Sequence, residues 1–278
     1  YLTVVSDKFS YTFDKFTGLF SGMVNANRTL LEHPMEFNIF RAPTDNDRNI
    51  RNVWEECHYD RPVVRTYGTE CVKGEKDGKA YVEIKSQISL SPVFMQRILD
   101  IRASWQVWAD GSVDVRLEAK KNSAFPRLPR FGIRMMLPED MQQVEYYGLG
   151  PVESYKDKCR AAYHGRFEET VDSLFEDYIR PQENGSHYDV SYVELARDGL
   201  KLSVAGEKPF SFNASRYTQE ELTKKAHNYE LVPSGHTVLC IDYVQDGIGS
   251  NSCGPEPEKQ YQFLEEEFTF AFGIRVNG

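Results

Sequence analysis

No stretch of the 278 residues approaches the roughly 20 consecutive apolar positions that a membrane-spanning helix needs. The opening residues, Tyr1-Leu-Thr-Val-Val-Ser, lack the charged and apolar regions of a secretory signal. A soluble protein is expected, cytoplasmic or periplasmic, without membrane association. Basic runs are missing as well: 33 Lys and Arg stand against 42 Asp and Glu, a net charge of −9, so nucleic acid is not an expected partner. The five cysteines, at 57, 71, 159, 240 and 253, are scattered and form no Cys-x-x-Cys, which argues against a disulfide scaffold and a zinc site. They leave the compartment open, because a large β-domain needs no disulfide even in an oxidising space. The six histidines show no ligand spacing, so no metal or other cofactor is expected in this chain. A nucleophile elbow, a phosphate-binding glycine loop and a dinucleotide fingerprint are all absent. An initiator Met is also lacking, and since Tyr1 to Val5 already reads as a strand, a piece of a longer polypeptide is expected.

What the chain does have is alternation. Phe9, Tyr11 and Phe13 alternate with Lys8, Ser10 and Thr12, and Val113, Val115 and Leu117 alternate with Asp114, Arg116 and Glu118. A period of two marks strands with one buried face. Similar runs fall near 35–40, 62–72, 79–90, 95–108, 131–137, 143–148, 188–195, 200–205, 209–213, 237–245 and 261–276. Aromatics at 13% suit such strands and also suit surfaces that stack on sugars. Two segments have helical spacing instead: 49–58, with Asp47 as its expected N-cap, and 215–227, which contains Thr218-Gln-Glu-Glu-Leu. The stretch 160–188 shows no clear alternation, and an irregular stretch of that length is usually functional or an interface. The expectation is one all-β domain over 1–278, a sandwich of antiparallel sheets with a few short helices.

Four polar segments punctuated by Gly and Pro stand out: Arg41-Ala-Pro-Thr-Asp-Asn-Asp47, Tyr147-Gly-Leu-Gly-Pro-Val-Glu-Ser-Tyr-Lys-Asp157, Arg180-Pro-Gln-Glu-Asn-Gly185 and Asp246-Gly-Ile-Gly-Ser-Asn-Ser-Cys-Gly-Pro255. Each follows a strand-like run, and polar loops on a rigid sheet are where binding usually resides. Glycoside hydrolysis needs two facing carboxylates, which draws attention to Glu153 and Glu183; the plainer reading is that each braces a turn by accepting backbone N–H bonds. Asp45, Asn46 and Asp47 offer oxygens to hydroxyls or a hard cation, but lack the spacing of a calcium loop and read more simply as a turn braced by Arg41. His187 has the chemistry of an epimerase base, with Glu183 as its partner, yet no adjacent group supports that role. Cys253 sits among turn residues with no base nearby to activate it.

These loops, together with Phe212-Asn-Ala-Ser-Arg-Tyr217, occur in an order and at a spacing that resemble the C-terminal small-chain domain of the large β-galactosidases of glycoside hydrolase family 2. The resemblance spans nearly the whole chain. It implies a galactose-mutarotase-like β-supersandwich, joined in the complete retaining enzyme to a catalytic barrel and other domains in a homo-oligomer. It places the catalytic glutamates and the active-site metal on that barrel, so none of the catalytic residues is in this chain. It also implies that the last loop reaches the substrate rim through Gln245, Asp246, Ser252 and Cys253. At the position of Cys253 some members of that family carry a tryptophan, and a thiol cannot supply a ring face. A mutarotase-like cleft of the domain's own would be lined by Arg41, Asp45, Asn46, Glu183, Asn184, His187 and Arg216. Three further readings follow: a carbohydrate-binding module using that cleft, a natural small subunit of a two-chain β-galactosidase, and a free-standing sugar epimerase.

Overall fold

Stretches such as Phe9-Ser-Tyr-Thr-Phe-Asp14 bury every second side chain, so their apolar face has to meet a second layer. In the computed structural model, which describes residues 1–277, β1 (Leu2–Val5), β2 (Phe9–Asp14), β3 (Leu19–Asn25) and β4 (Arg28–Thr29) form one sheet in that order. The larger sheet contains β5 (Glu36–Asn38), β6 (Val63–Lys76), β7 (Lys79–Ser91), β8 (Leu99–Trp108), β9 (Val113–Lys121) and β10 (Arg130–Pro138). It continues with β11 (Gln143–Gly150), β12 (Tyr163–Thr170), β13 (Ser186–Arg197), β14 (Leu200–Ser215), β15 (His236–Gln245) and β16 (Glu267–Asn277). The strand pairs are antiparallel, as expected. The smaller sheet packs on the larger through aromatic rings, Phe20 meeting Trp105 edge-on at 5.3 Å between centroids. One apolar cluster runs from Phe9 to Ile274 and draws on both sheets.

β14 creates the fork that positions the polar loops. Its Lys201–Gly206 half pairs with β16, and its Ser211–Ser215 half pairs with β15, which in turn pairs with β10. The stretch between the halves bends at Gly206, where a Cβ would stand 2.3 Å from the Lys208 carbonyl oxygen. The runs expected as separate strands at 200–205 and 209–213 are therefore one strand with a bend.

Several boundaries differ from expectation. The stretch 160–188 contains β12, an edge strand whose side chains are exposed or half-buried on both faces, so it carries no apolar period to detect. β3 was hidden by a bulge in its pairing with β2 between Thr12 and Phe13. The runs 95–108 and 261–276 become strands only from Leu99 and Glu267. Helix α1 (Ile50–Glu56) and helix α2 (Gln219–Lys224) are shorter than the segments read for them. Thr218 caps α2 by accepting the Glu221 N–H at 3.2 Å. Asp47 does not cap α1, which begins after Asn49; it ends a 3-10 turn at Asp45–Asp47, where its carboxylate is the counter-ion of buried Arg41.

Candidate functional site

The four polar segments converge, and a set of buried charges holds them together. Arg41 is fully buried and binds Asp47 through Nε at 3.1 Å and Nη2 at 2.7 Å. Its remaining donors go to the last loop: Nη1 to the Asp246 carbonyl at 2.6 Å and Nη2 to the Gly247 carbonyl at 3.0 Å. One planar guanidinium thus fixes two loops at once. Asn46 continues the seam, donating to the Gly249 carbonyl at 2.8 Å and accepting the Ser252 N–H at 3.0 Å. On the other flank Asp157 accepts the N–H groups of Ile248 at 2.9 Å and Gly249 at 2.7 Å. A Cβ on Gly247 would stand 2.9 Å from the Asp157 carboxylate, so this approach favours glycine.

Beneath this seam lie two more arginines. Arg127 donates to Asp246 Oδ2 at 2.8 Å, while Asp246 Oδ1 accepts the Phe263 N–H at 2.8 Å. Arg130, from the start of β10, forks between Asp242 of β15 and Glu183 of the third loop, contacting both Glu183 oxygens at 3.1 and 3.2 Å. Burial opposes the Arg130 charge, but the two carboxylates outweigh it and hold its pKa well above the ordinary value. Burial raises Glu183 and Asp242 in turn, against the pull of the same guanidinium. Glu183 also anchors its loop through the backbone, donating its N–H to the Ala42 carbonyl at 3.0 Å.

Glu153 braces a turn as read from the sequence, but the turn is the third loop: Oε2 accepts the Gly185 N–H at 2.8 Å, and Oε1 accepts from Lys158 and Tyr178. Gly185 has φ +65 and the Leu174 carbonyl oxygen 2.3 Å from where a Cβ would stand, so the Glu-Asn-Gly turn requires its glycine. Asn184 is spent on that turn, its amide joining the Glu176 N–H at 3.1 Å and the Gln182 carbonyl at 2.9 Å.

The residues expected to line a cleft of the domain's own do not form an open one. Arg41, Glu183, Asn184 and His187 are all buried, because they neutralise or brace one another's loops. Asp45 is exposed near Arg180, and Asn46 is committed to the last loop. Arg216 is elsewhere, paired with Asp172 and Glu139 and bonded to Gln142. Of the four rim residues, Gln245 and Asp246 are buried at the root, Gln245 donating to Ser186 Oγ at 2.9 Å. Ser252 and Cys253 are exposed at the tip.

His187 packs against the rings of Tyr146 and Phe212, with centroids at 4.6 and 5.2 Å, and those two rings are 5.1 Å from each other. Its Nδ1 meets the Leu149 carbonyl at 3.3 Å, and Nε2 has no partner among the described residues. Burial pushes its pKa down to about 4, against that carbonyl contact. The unfolded chain therefore holds the extra proton between about pH 6.5 and 4, so stability is full above that window and falls as pH drops through it. The loss amounts to about 3 kcal/mol at the acid end. Urea titrations across this range are expected to show that pH slope flattened in His187→Phe; an unchanged slope would contradict the assignment.

From the sequence no role is assigned to Arg127, Arg130 or Asp242, nor to Asp157, which closes the second polar segment. The signal was present: Arg130 precedes Phe131-Gly-Ile, and Asp242 interrupts Val238-Leu-Cys-Ile-Asp-Tyr, charges of opposite sign within apolar strands.

Over residues 5–274 the sequence matches the family model described as beta galactosidase small chain. The β-galactosidase of Actinobacillus pleuropneumoniae is 41% identical over 273 residues, covering 98% of this chain and 26% of that protein. The β-galactosidase of Staphylococcus xylosus is 35% identical, covering 96% of this chain and 26% of that protein. The chain spans about a quarter of the length of these curated relatives. Among solved structures, a galactose 1-epimerase from Lactobacillus acidophilus NCFM aligns with a TM-score of 0.51 over 99% of this chain and 93% of that one. A galactose mutarotase-like protein from Lactobacillus casei aligns with a TM-score of 0.50 over 99% of both chains. Both are 10% identical, which shows a shared galactose-mutarotase-like fold and nothing of activity. The family match over nearly the full length, with a relative 41% identical across 98% of it, shows that the chain belongs to the beta galactosidase small chain family.

Proposed function

We propose that this chain is the C-terminal domain of a retaining β-galactosidase acting on terminal β-D-galactosides such as lactose, and that it completes the substrate rim while the chemistry resides elsewhere in the enzyme. The observation that carries this reading is the asymmetry of the last loop. Its root is fixed by Arg41, Asn46, Arg127 and Asp157, whereas its tip at Ser252 and Cys253 is exposed. A loop held so firmly presents its tip at a defined height at little entropic cost, which is what a rim around a sugar requires. The domain acts as one unit over 1–278, docks the catalytic barrel and other domains, and joins a homo-oligomer in the complete enzyme. It holds no cofactor for the reaction; the active-site metal belongs to the barrel.

The test is the reactivity of Cys253 in the complete enzyme. A maleimide is expected to label it readily, and saturating galactose is expected to slow that labelling without slowing the labelling of exposed Cys71 on β6. Equal rates at Cys253 with and without sugar would remove the tip from the substrate rim.

A further inference from the structure

Two histidines that take no part in the four-loop site meet at the junction of the two sheets. His33 lies in the connection between β4 and β5, and His236 is the first residue of β15. Their Nε2 atoms are 3.1 Å apart, and the rings are set edge-on at 83° with centroids 4.7 Å apart. Glu32 Oε2 lies 2.6 Å from His236 Nδ1, on the far side of that ring. The backbone fixes this arrangement. Glu32 donates its N–H to the Met136 carbonyl at 3.0 Å, and Met35 donates to the Phe20 carbonyl at 2.9 Å, so both flanks of His33 are tied down. Buried Leu31 and Met35 hold the connection in the core on either side.

We infer that His33 and His236 form a chelating site for a borderline divalent transition ion of the zinc class. Two imidazole nitrogens each about 2.0–2.1 Å from one ion are separated by about 2.9 Å at a right angle and by about 3.3 Å at the tetrahedral angle. The observed 3.1 Å falls between these limits. Glu32 supplies the outer partner that such a ligand normally has: by accepting the Nδ1 proton of His236 it fixes the tautomer that leaves the Nε2 lone pair free. Without an ion, one Nε2–H donates to the other nitrogen; on binding, the donor ring shifts its proton to Nδ1 and both Nε2 lone pairs face the metal. Neutral imidazoles select zinc, copper or nickel over magnesium and calcium, which prefer oxygen.

Among the described residues no group of three or more His, Cys, Asp or Glu is arranged around a metal position, so water completes the coordination. The site is therefore an exchangeable one. Because it joins the segment leaving the small sheet to a strand of the large one, an ion bound there favours the folded chain by mass action.

The test is a calorimetric titration of the 278-residue chain with zinc chloride at pH 7 in excess magnesium, with melting temperature as a second readout. One zinc per chain is expected at this site, with a raised melting temperature. His33→Gln and His236→Gln are each expected to lower the zinc stoichiometry by one and to cancel the thermal shift. Glu32→Gln is expected to weaken binding by about 10–100-fold. All three side chains are at least partly exposed, so circular dichroism should find the variants folded. An unchanged stoichiometry in both histidine variants, or no binding by the unmodified chain, would overturn the proposal.

Discussion

Arg130→Met is expected to cost about 3–5 kcal/mol of folding stability, because removing one partner of a buried ion pair leaves an uncompensated charge. Two carboxylates lose their partner at once, since Arg130 is shared by Asp242 and Glu183, which puts the expected cost at the upper end of that range. Met fills much of the volume but offers no donor, so two buried carboxyls are left to protonate or to draw in water. Burial already raises both, and the guanidinium is what opposes that rise. A domain of ordinary stability has about 5–15 kcal/mol in total, so the variant should be marginal at 37 °C. Adding Asp242→Asn and Glu183→Gln to Arg130→Met should recover part of the loss, because neutral amides cost less to bury than unpaired carboxylates. Urea midpoints for the single and triple variants measure both effects. A loss below about 1 kcal/mol would mean that the trio does not brace the loops.

The fold was legible wherever a strand has one apolar face. β2, β8 and β9 bury alternate residues, and their period of two is plain in the sequence. Legibility failed where that contrast disappears, in edge strand β12, and where a bulge shifts the phase, in β3. The four loops were visible as motifs because Gly and Pro impose turns that few other residues tolerate. Their internal logic was not. Arg41 and Asp47 are close in sequence, and their pairing could be anticipated; Arg130 reaches Asp242 and Glu183 across intervals of 112 and 53 residues, which no local pattern encodes. The same limit explains the expected cleft. Polar residues in adjacent motifs look like a binding surface when their burial is unknown, whereas Arg41, Glu183 and His187 are consumed by the packing of the loops.

The second large expected effect follows from the proposed function: the isolated chain is expected to show no galactoside hydrolysis. A retaining glycosidase needs two carboxyls about 5–5.5 Å apart, one protonated to act as acid and one free to attack. Glu153 is held by the Gly185 N–H, Lys158 and Tyr178, and Glu183 is held by Arg130 with 4% exposure, so neither is presented to a substrate. On the proposed function, the four loops form a structural frame around an exposed tip and the catalytic pair is supplied from outside this chain. The most direct test is to assay the isolated 278-residue chain on a nitrophenyl β-galactoside. The account predicts release of nitrophenol no faster than in buffer. Turnover at about 1 s⁻¹ or more, abolished by Glu183→Gln or Glu153→Gln, would contradict it by placing the chemistry in these loops.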